Sequence, residues 1–121
     1  VLEHPLVTFC AAIVGRISMK DLVREGYEPP FPEDWHYAND LFPVSISREE
    51  CEAASRRMTR EMMVKSHIIG SPAEVAAQLQ EYIDAGANWV VPIDLTGLVN
   101  QDSAGCVKRV IEVAKILKGK A

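Results

Sequence analysis

The chain has 121 residues, 48% of them apolar and 25% charged, with 17 acidic against 13 basic side chains and a formal net charge of −4. That balance is ordinary for a globular domain, and it excludes nucleic acid as a partner because no basic stripe meets the phosphate backbone. The longest apolar run, Phe9 to Val14, is far too short to span a bilayer.

No charged segment precedes that run, so no signal peptide is expected. Cys10, Cys51 and Cys106 are an odd, widely spaced set without a Cys-x-x-Cys pair. They suit neither a disulfide framework nor a zinc site, and a reducing, cytoplasmic compartment is expected. The chain begins at Val1 rather than Met and reads as helical from its first residues. It is therefore expected to be the tail of a longer enzyme.

In chain order, the first segment, from about Glu3 to Glu25, reads as one helix. Leu6, Phe9, Cys10, Ile13, Val14 and Ile17 leave it apolar on nearly every side, which predicts a buried helix. Pro5 suits its first turn and Gly26 its end. Residues 27–46 hold Pro29, Pro30, Pro32 and Pro43, which forbid a long helix or a paired strand. Phe31, Trp35, Tyr37, Leu41 and Phe42 make this an ordered loop with apolar anchors and a short helix around Tyr37 to Leu41. Ser47 and Glu50 form a capping box for a helix running to about Arg57. Thr59 caps another through Val64. Met58, Met62 and Met63 fall at helical spacing and read as packing.

His67-Ile68-Ile69-Gly70 is a short β-rich run. Ser71-Pro72-Ala73-Glu74 is a complete helix start, and the helix carries Val75, Ala76, Leu79, Tyr82 and Ile83 on one face. Gly86 ends it. Trp89 to Ile93 reads as a second strand, followed by Asp94-Leu95-Thr96-Gly97. A last helix covers about Ser103 to Lys118, with Val107, Val110, Ile111, Ala114 and Leu117 on one face and Lys115, Lys118 and Lys120 at its cation-favouring end. Strand–helix–strand predicts a right-handed parallel crossover. Parallel sheets are buried on both faces, so the expected class is an α/β fragment with two parallel strands. Its missing strands would come from a longer chain or from another copy.

The stretch IIGSPAEVAAQLQEYIDAGANWVVPID, residues 68–94, resembles the C-terminal signature of the luciferase-like oxidoreductases. The runs EHPL (residues 3–6) and DWHYANDLFP (residues 34–43) resemble the deazaflavin-dependent branch of that superfamily, nearest its phthiodiolone ketoreductase-like members. The resemblance implies that residues 1–121 are the C-terminal part of one (β/α)8 TIM barrel domain, roughly its last third. The segments would be a helix at 1–26, a Pro/aromatic insertion loop at 27–46, helices at 47–66 and final βαβα units at 67–121. It also implies hydride transfer between a deazaflavin and a carbonyl- or alcohol-type substrate, with a lipid ketone as one candidate. The residues nearest the coenzyme would lie in the N-terminal part of the same barrel, so no catalytic residue is expected here and the fragment alone is expected to be inactive. Isolated, it is expected to expose apolar surface and associate, with a homo-oligomer as one form. An FMN-dependent monooxygenase and a non-catalytic barrel homologue serving as a binding or structural protein are the alternatives.

Barrel active sites lie at the C-terminal ends of the strands. That rule selects Gly70 and Ser71 after one strand and Asp94, Thr96 and Gly97 after the other. Ser71 is accounted for by its capping role. Asp94 and Thr96 are the candidate rim contacts, with Asp94 orienting substrate or serving a rim ion pair. Trp35, His36 and Lys65 are the candidate substrate-side contacts. The sugar-phosphate dehydrogenases of this branch carry a Lys before the loop His. Trp35 in its place implies an apolar wall and a bulkier, more apolar substrate. Lys65 falls where that subgroup holds a phosphate-binding cation. Pro92, which cannot donate to a ladder, marks either a bulge or a position whose nitrogen faces away from its neighbour. His4 and His67 lack a spaced partner, so no metal is expected. Ser66-His67 is not read as a catalytic pair, since neighbours on a strand point to opposite faces.

Overall fold

A computed structural model describes residues 2–41 and 46–119. Its residues form two compact units, 1–67 and 68–121.

In the first unit, α1 (Pro5–Ile13) starts with proline in its first turn, and His4 Nδ1 accepts from Leu6 N. The single helix expected over residues 3–25 is instead two, α1 and α2 (Met19–Arg24). The break has two causes. Ser18 and Asp21 form a reciprocal capping box that starts a new helix. Gly15 also passes so close to Ser66 that an added Cβ would lie 3.1 Å from the serine Cβ, while Arg16 N donates to Ser66 O at 2.9 Å. Nor is α1 buried all round: Leu6 and Val14 are exposed, while Val7, Ala11 and Ala12 are buried. A turn in the described part of the proline-rich segment stacks Phe31 on Trp35, with ring centroids 4.0 Å apart and planes at 11°. The short helix α3 (Tyr37–Asp40) follows. Phe42 and Pro43 lie outside the described residues. Ser47 and Glu50 cap α4 (Arg48–Arg57), and Thr59 caps α5 (Arg60–Ser66). Helices α4 and α5 both pack on α1, around a core that includes Leu22, Ala54, Met62 and Met63.

Ser66 closes α5 rather than lying on a strand, and this changes its relation to His67. Ser66 Oγ sits 2.7 Å from Met62 O and 2.8 Å from His67 Nδ1, while His67 Nε2 lies 2.9 Å from Val14 O. Burial pushes the His67 pKa down, against the opposing hydrogen bond to Val14. A histidine whose folded pKa is depressed favours unfolding as protons are added. Stability is therefore expected to fall as pH drops below the unfolded value of about 6.5 toward the lower folded value. Urea midpoints at pH 7.5 and 5.5 should differ less in His67→Gln than in the parent; an equal fall in both would refute the assignment.

In the second unit, Ser71 and Glu74 cap α6 (Pro72–Asp84), with Pro72 in the first turn. Gly70 has φ +154°, and a Cβ there would stand 2.7 Å from Glu74 Cβ. The glycine of this motif thus lets the backbone pass beneath its own capping glutamate. Gly70→Ala is expected to cost roughly 1–3 kcal/mol through strain and a displaced cap, measurable as a lower urea midpoint for this unit. A neutral substitution would remove that explanation. Helix α7 (Gly97–Asn100) and helix α8 (Ser103–Lys118) follow. Ala76 and Leu79 of α6 bury against Val113, with Ile68, Val75, Val90, Ile116 and Leu117 packed around them. The packed face of α8 is therefore rotated from the expected one, and Val107 and Ile111 are exposed. Lys115 and Lys118 lie in its last turn, and Lys120 lies outside the described residues.

The expected α/β class, with two parallel strands of a TIM barrel, is not observed. The described residues form eight helices and no strand or sheet. A strand exists only through a partner, and residues 68–69 and 88–94 make no backbone–backbone hydrogen bond with any described residue. Both segments carry β-type side chains, but neither pairs with the other. Burial across residues 89–94 nonetheless alternates, with Trp89, Val91 and Ile93 exposed and Val90, Pro92 and Asp94 half-buried. That period of two is the mark of an extended chain lying on one face.

Candidate functional site

The first unit holds a cavity of about 390 Å³, in the size range of small-molecule sites. Its wall brings together two of the candidates, Trp35 and His36. The Phe31 ring behind Trp35 fixes the indole plane. His36 caps α3, its Nδ1 accepting from Ala38 N at 3.2 Å, and its ring stacks on Tyr37. An accepting Nδ1 carries no proton, so a neutral His36 holds its proton on Nε2 and can donate from there. Arg16 and Lys20 line the same cavity with Glu33 and Asp34. Two cations against two carboxylates leave no surplus charge for an anion.

A wider groove of about 830 Å³ lies beside α1 and α4, with Leu6, Phe9, Met58 and Met63 as its apolar lining and Arg48, Arg56 and Arg60 among its charged groups. Lys65 lines neither cavity. Its ammonium is bonded to Glu25 and lies 5.5 Å from the Tyr27 ring centroid. The hydrogen bond from Lys65 to Glu25 raises the lysine pKa, so the cation is engaged within the protein.

Asp94 and Thr96 lie in the second unit and form a polar knot with two residues that sequence reasoning missed. Asp94 Oδ1 accepts from Thr96 N at 2.8 Å and from Thr96 Oγ1 at 2.7 Å, while Oδ2 accepts from Arg109 Nε at 2.7 Å. Arg109 Nη2 also donates to Thr96 Oγ1 at 2.8 Å and to Cys106 Sγ at 3.2 Å. Gly97 makes room for this sulfur, since a Cβ there would come within 2.9 Å of it. Burial pushes the Asp94 carboxyl up, but the hydrogen bonds from Thr96 and Arg109 together outweigh it and leave the pKa low. The readable signal was Arg109 itself. It shares a helical stripe with Val113 and Ile116, and a cation on a packed face calls for a carboxylate. No group of three or more His, Cys, Asp or Glu suited to a metal occurs among the described residues. No helix among them is long and apolar enough to cross a membrane.

No protein-family model and no solved structure matches the chain. Over 96 residues it is 29% identical to the phthiodiolone/phenolphthiodiolone dimycocerosates ketoreductase of Mycobacterium tuberculosis, and to the protein of the same name from Mycobacterium bovis. The match takes in 79% of this chain and 25% of each relative. The chain thus spans about a quarter of the length of the curated relatives it matches. The likeness supports a distant relationship to an oxidoreductase, one that by its name reduces a ketone.

Proposed function

We propose that this chain is part of a deazaflavin-dependent oxidoreductase of the luciferase-like group, moving a hydride to or from the carbonyl or alcohol carbon of a lipid-like substrate. The observation that carries this reading is the convergence of Trp35 and His36 on one cavity without surplus charge. A stacked indole presents a flat apolar wall. An imidazole whose Nδ1 accepts from Ala38 N presents Nε2 to the substrate side, where it suits contact with a carbonyl or hydroxyl oxygen. The groove beside α1 and α4, which Leu6, Phe9, Met58 and Met63 help to line, is roomy enough for a chain-like tail.

A deazaflavin supplies a two-electron hydride carrier when bound. Its phosphate-bearing tail, like that of FMN, does not fit this cavity, where Arg16 and Lys20 are balanced by Glu33 and Asp34. On this reading Trp35 and His36 serve the substrate side of the site.

The test is a fluorescence titration of the intact protein with the deazaflavin beside FMN. Deazaflavin binding alone, followed by turnover of a lipid ketone, supports the reading. Binding of FMN alone moves the protein to the monooxygenases, and binding of neither removes the oxidoreductase assignment. Trp35→Lys is expected to raise KM for an apolar ketone while leaving deazaflavin affinity unchanged.

A further inference from the structure

Ser66 and His67 are sequence neighbours whose side chains the fold turns toward each other. Ser66 ends α5, and His67 follows it in extended backbone with φ −132° and ψ 154°. Oγ of the serine lies 2.8 Å from Nδ1 of the histidine, and Nε2 lies 2.9 Å from Val14 O. A carbonyl oxygen only accepts, so the neutral ring carries its proton on Nε2. Nδ1 is left as an acceptor beside the hydroxyl. The hydroxyl has a second acceptor, Met62 O, at 2.7 Å. That carbonyl holds Oγ in place, but of the two acceptors only the imidazole can take the proton away.

We infer that Ser66 is a nucleophile and His67 its general base, a pair arranged for acyl transfer from a small ester with an apolar acyl group. A serine within hydrogen-bond reach of a base that a third group orients is the arrangement that activates a hydroxyl. Val14 O takes the orienting place. Ser66 is buried within its own unit and lines the cavity of about 390 Å³. Ala11, Ala12, Ile17 and Leu22 on the same wall suit an acyl chain. Burial pushes the His67 pKa down, and Arg16 is the charged group that adds to this, so the ring is neutral and able to accept near pH 7. The inference is independent of the oxidoreductase reading, because the step needs no coenzyme.

Oγ bonds to the carbonyl carbon of the ester while its proton passes to Nδ1. The ester C–O bond then breaks, and the leaving alkoxide takes that proton. Water, giving a proton to the same nitrogen, attacks the acyl-serine. The carboxylic acid departs, and the proton on Nδ1 returns to Oγ.

The experiment incubates the intact protein with an alkyl fluorophosphonate, which a nucleophilic serine attacks with loss of fluoride, and locates the adduct by peptide mass. Expected is an adduct at Ser66 in the folded protein and none there in urea, since the activation comes from the fold. Ser66→Ala is expected to remove that adduct and the hydrolysis of p-nitrophenyl butyrate with it. His67→Gln should slow both by roughly a hundredfold or more. Ser55→Ala, at a serine bonded instead to Pro5 O, should slow neither. The labelling rate of the parent should rise with pH through the lowered His67 value and stay level above it. A histidine with only a structural role would give no such profile. Circular dichroism confirms that each variant is folded, and the pH profile decides in place of His67→Gln if that variant does not fold. A folded parent that takes no adduct at Ser66 overturns the inference, as does labelling that neither His67→Gln nor pH alters.

Discussion

Met62→Ala is expected to destabilise the first unit by about 3 kcal/mol, within the range for truncating a fully buried methionine. Met62 is 1% exposed and Met63 2%. They belong to a core in which Ala11, Ala12 and Ala54 are almost fully covered. Small residues on α1 and α4 let the backbones approach, and the long thioether chains of α5 fill the space that remains. Removing one leaves a cavity that the surrounding helices close only in part. The loss is large for a body of this size. At about 0.05–0.15 kcal/mol per residue, a unit of 67 residues has a margin of roughly 3–10 kcal/mol. Met62→Leu, which nearly conserves volume, is expected to cost under about 1.5 kcal/mol. Urea midpoints with an unchanged denaturant slope provide the measurement. Equal effects of Ala and Leu would show that Met62 does not fill a rigid core.

Asp94→Ala is expected to cost the second unit about 2 kcal/mol near pH 7, because it leaves Thr96 N, Thr96 Oγ1 and Arg109 Nε without their acceptor. The Asp94 side chain is 14% exposed but that of Arg109 is 37% exposed. Water screens the ion pair on that side, and the figure stays below the cost of breaking a fully buried pair. Asp94→Asn keeps an acceptor for Thr96 and is expected to lose about half as much. The pH dependence follows from the low Asp94 pKa. A carboxyl whose folded pKa is depressed contributes stability above its unfolded value of about 3.9, and that contribution disappears as pH falls through the folded value. The gap between parent and Asp94→Asn should therefore be constant from pH 7 to 5 and close below pH 4. A gap that persists at pH 2 would mean that packing, rather than charge, is what the substitution removes.

Local chemistry was legible wherever a few adjacent residues decide it. Ser47 with Glu50, Thr59, and Ser71 with Pro72 and Glu74 start helices where their side chains predict. Met62 and Met63 are core, as their spacing suggests. The Ser18–Asp21 box was equally local, yet the continuous apolar pattern across it hid the break. What failed was whatever depends on residues distant in sequence. A strand requires a partner that Trp89 to Ile93 does not find among the described residues. The packed face of α8 is set by where Ala76 and Leu79 sit, so an apolar count along α8 alone selected Val107 and Ile111 instead. The Asp94–Arg109 pair spans 15 residues, and only its carboxylate end lay at a position that pattern rules single out. Trp35 and His36, by contrast, are neighbours on one turn, and their shared place on a cavity wall was within reach of sequence.

Pro92 carries a consequence for the state of the material at high concentration. Chains with a bare apolar strand commonly stack without end, because each new copy exposes a fresh edge. Any chain that approaches along residues 90 and 92 meets Pro92, which offers no N–H. A strand growing on that edge loses a ladder bond at Pro92, so this one residue limits how far Trp89, Val91 and Ile93 seed such stacking.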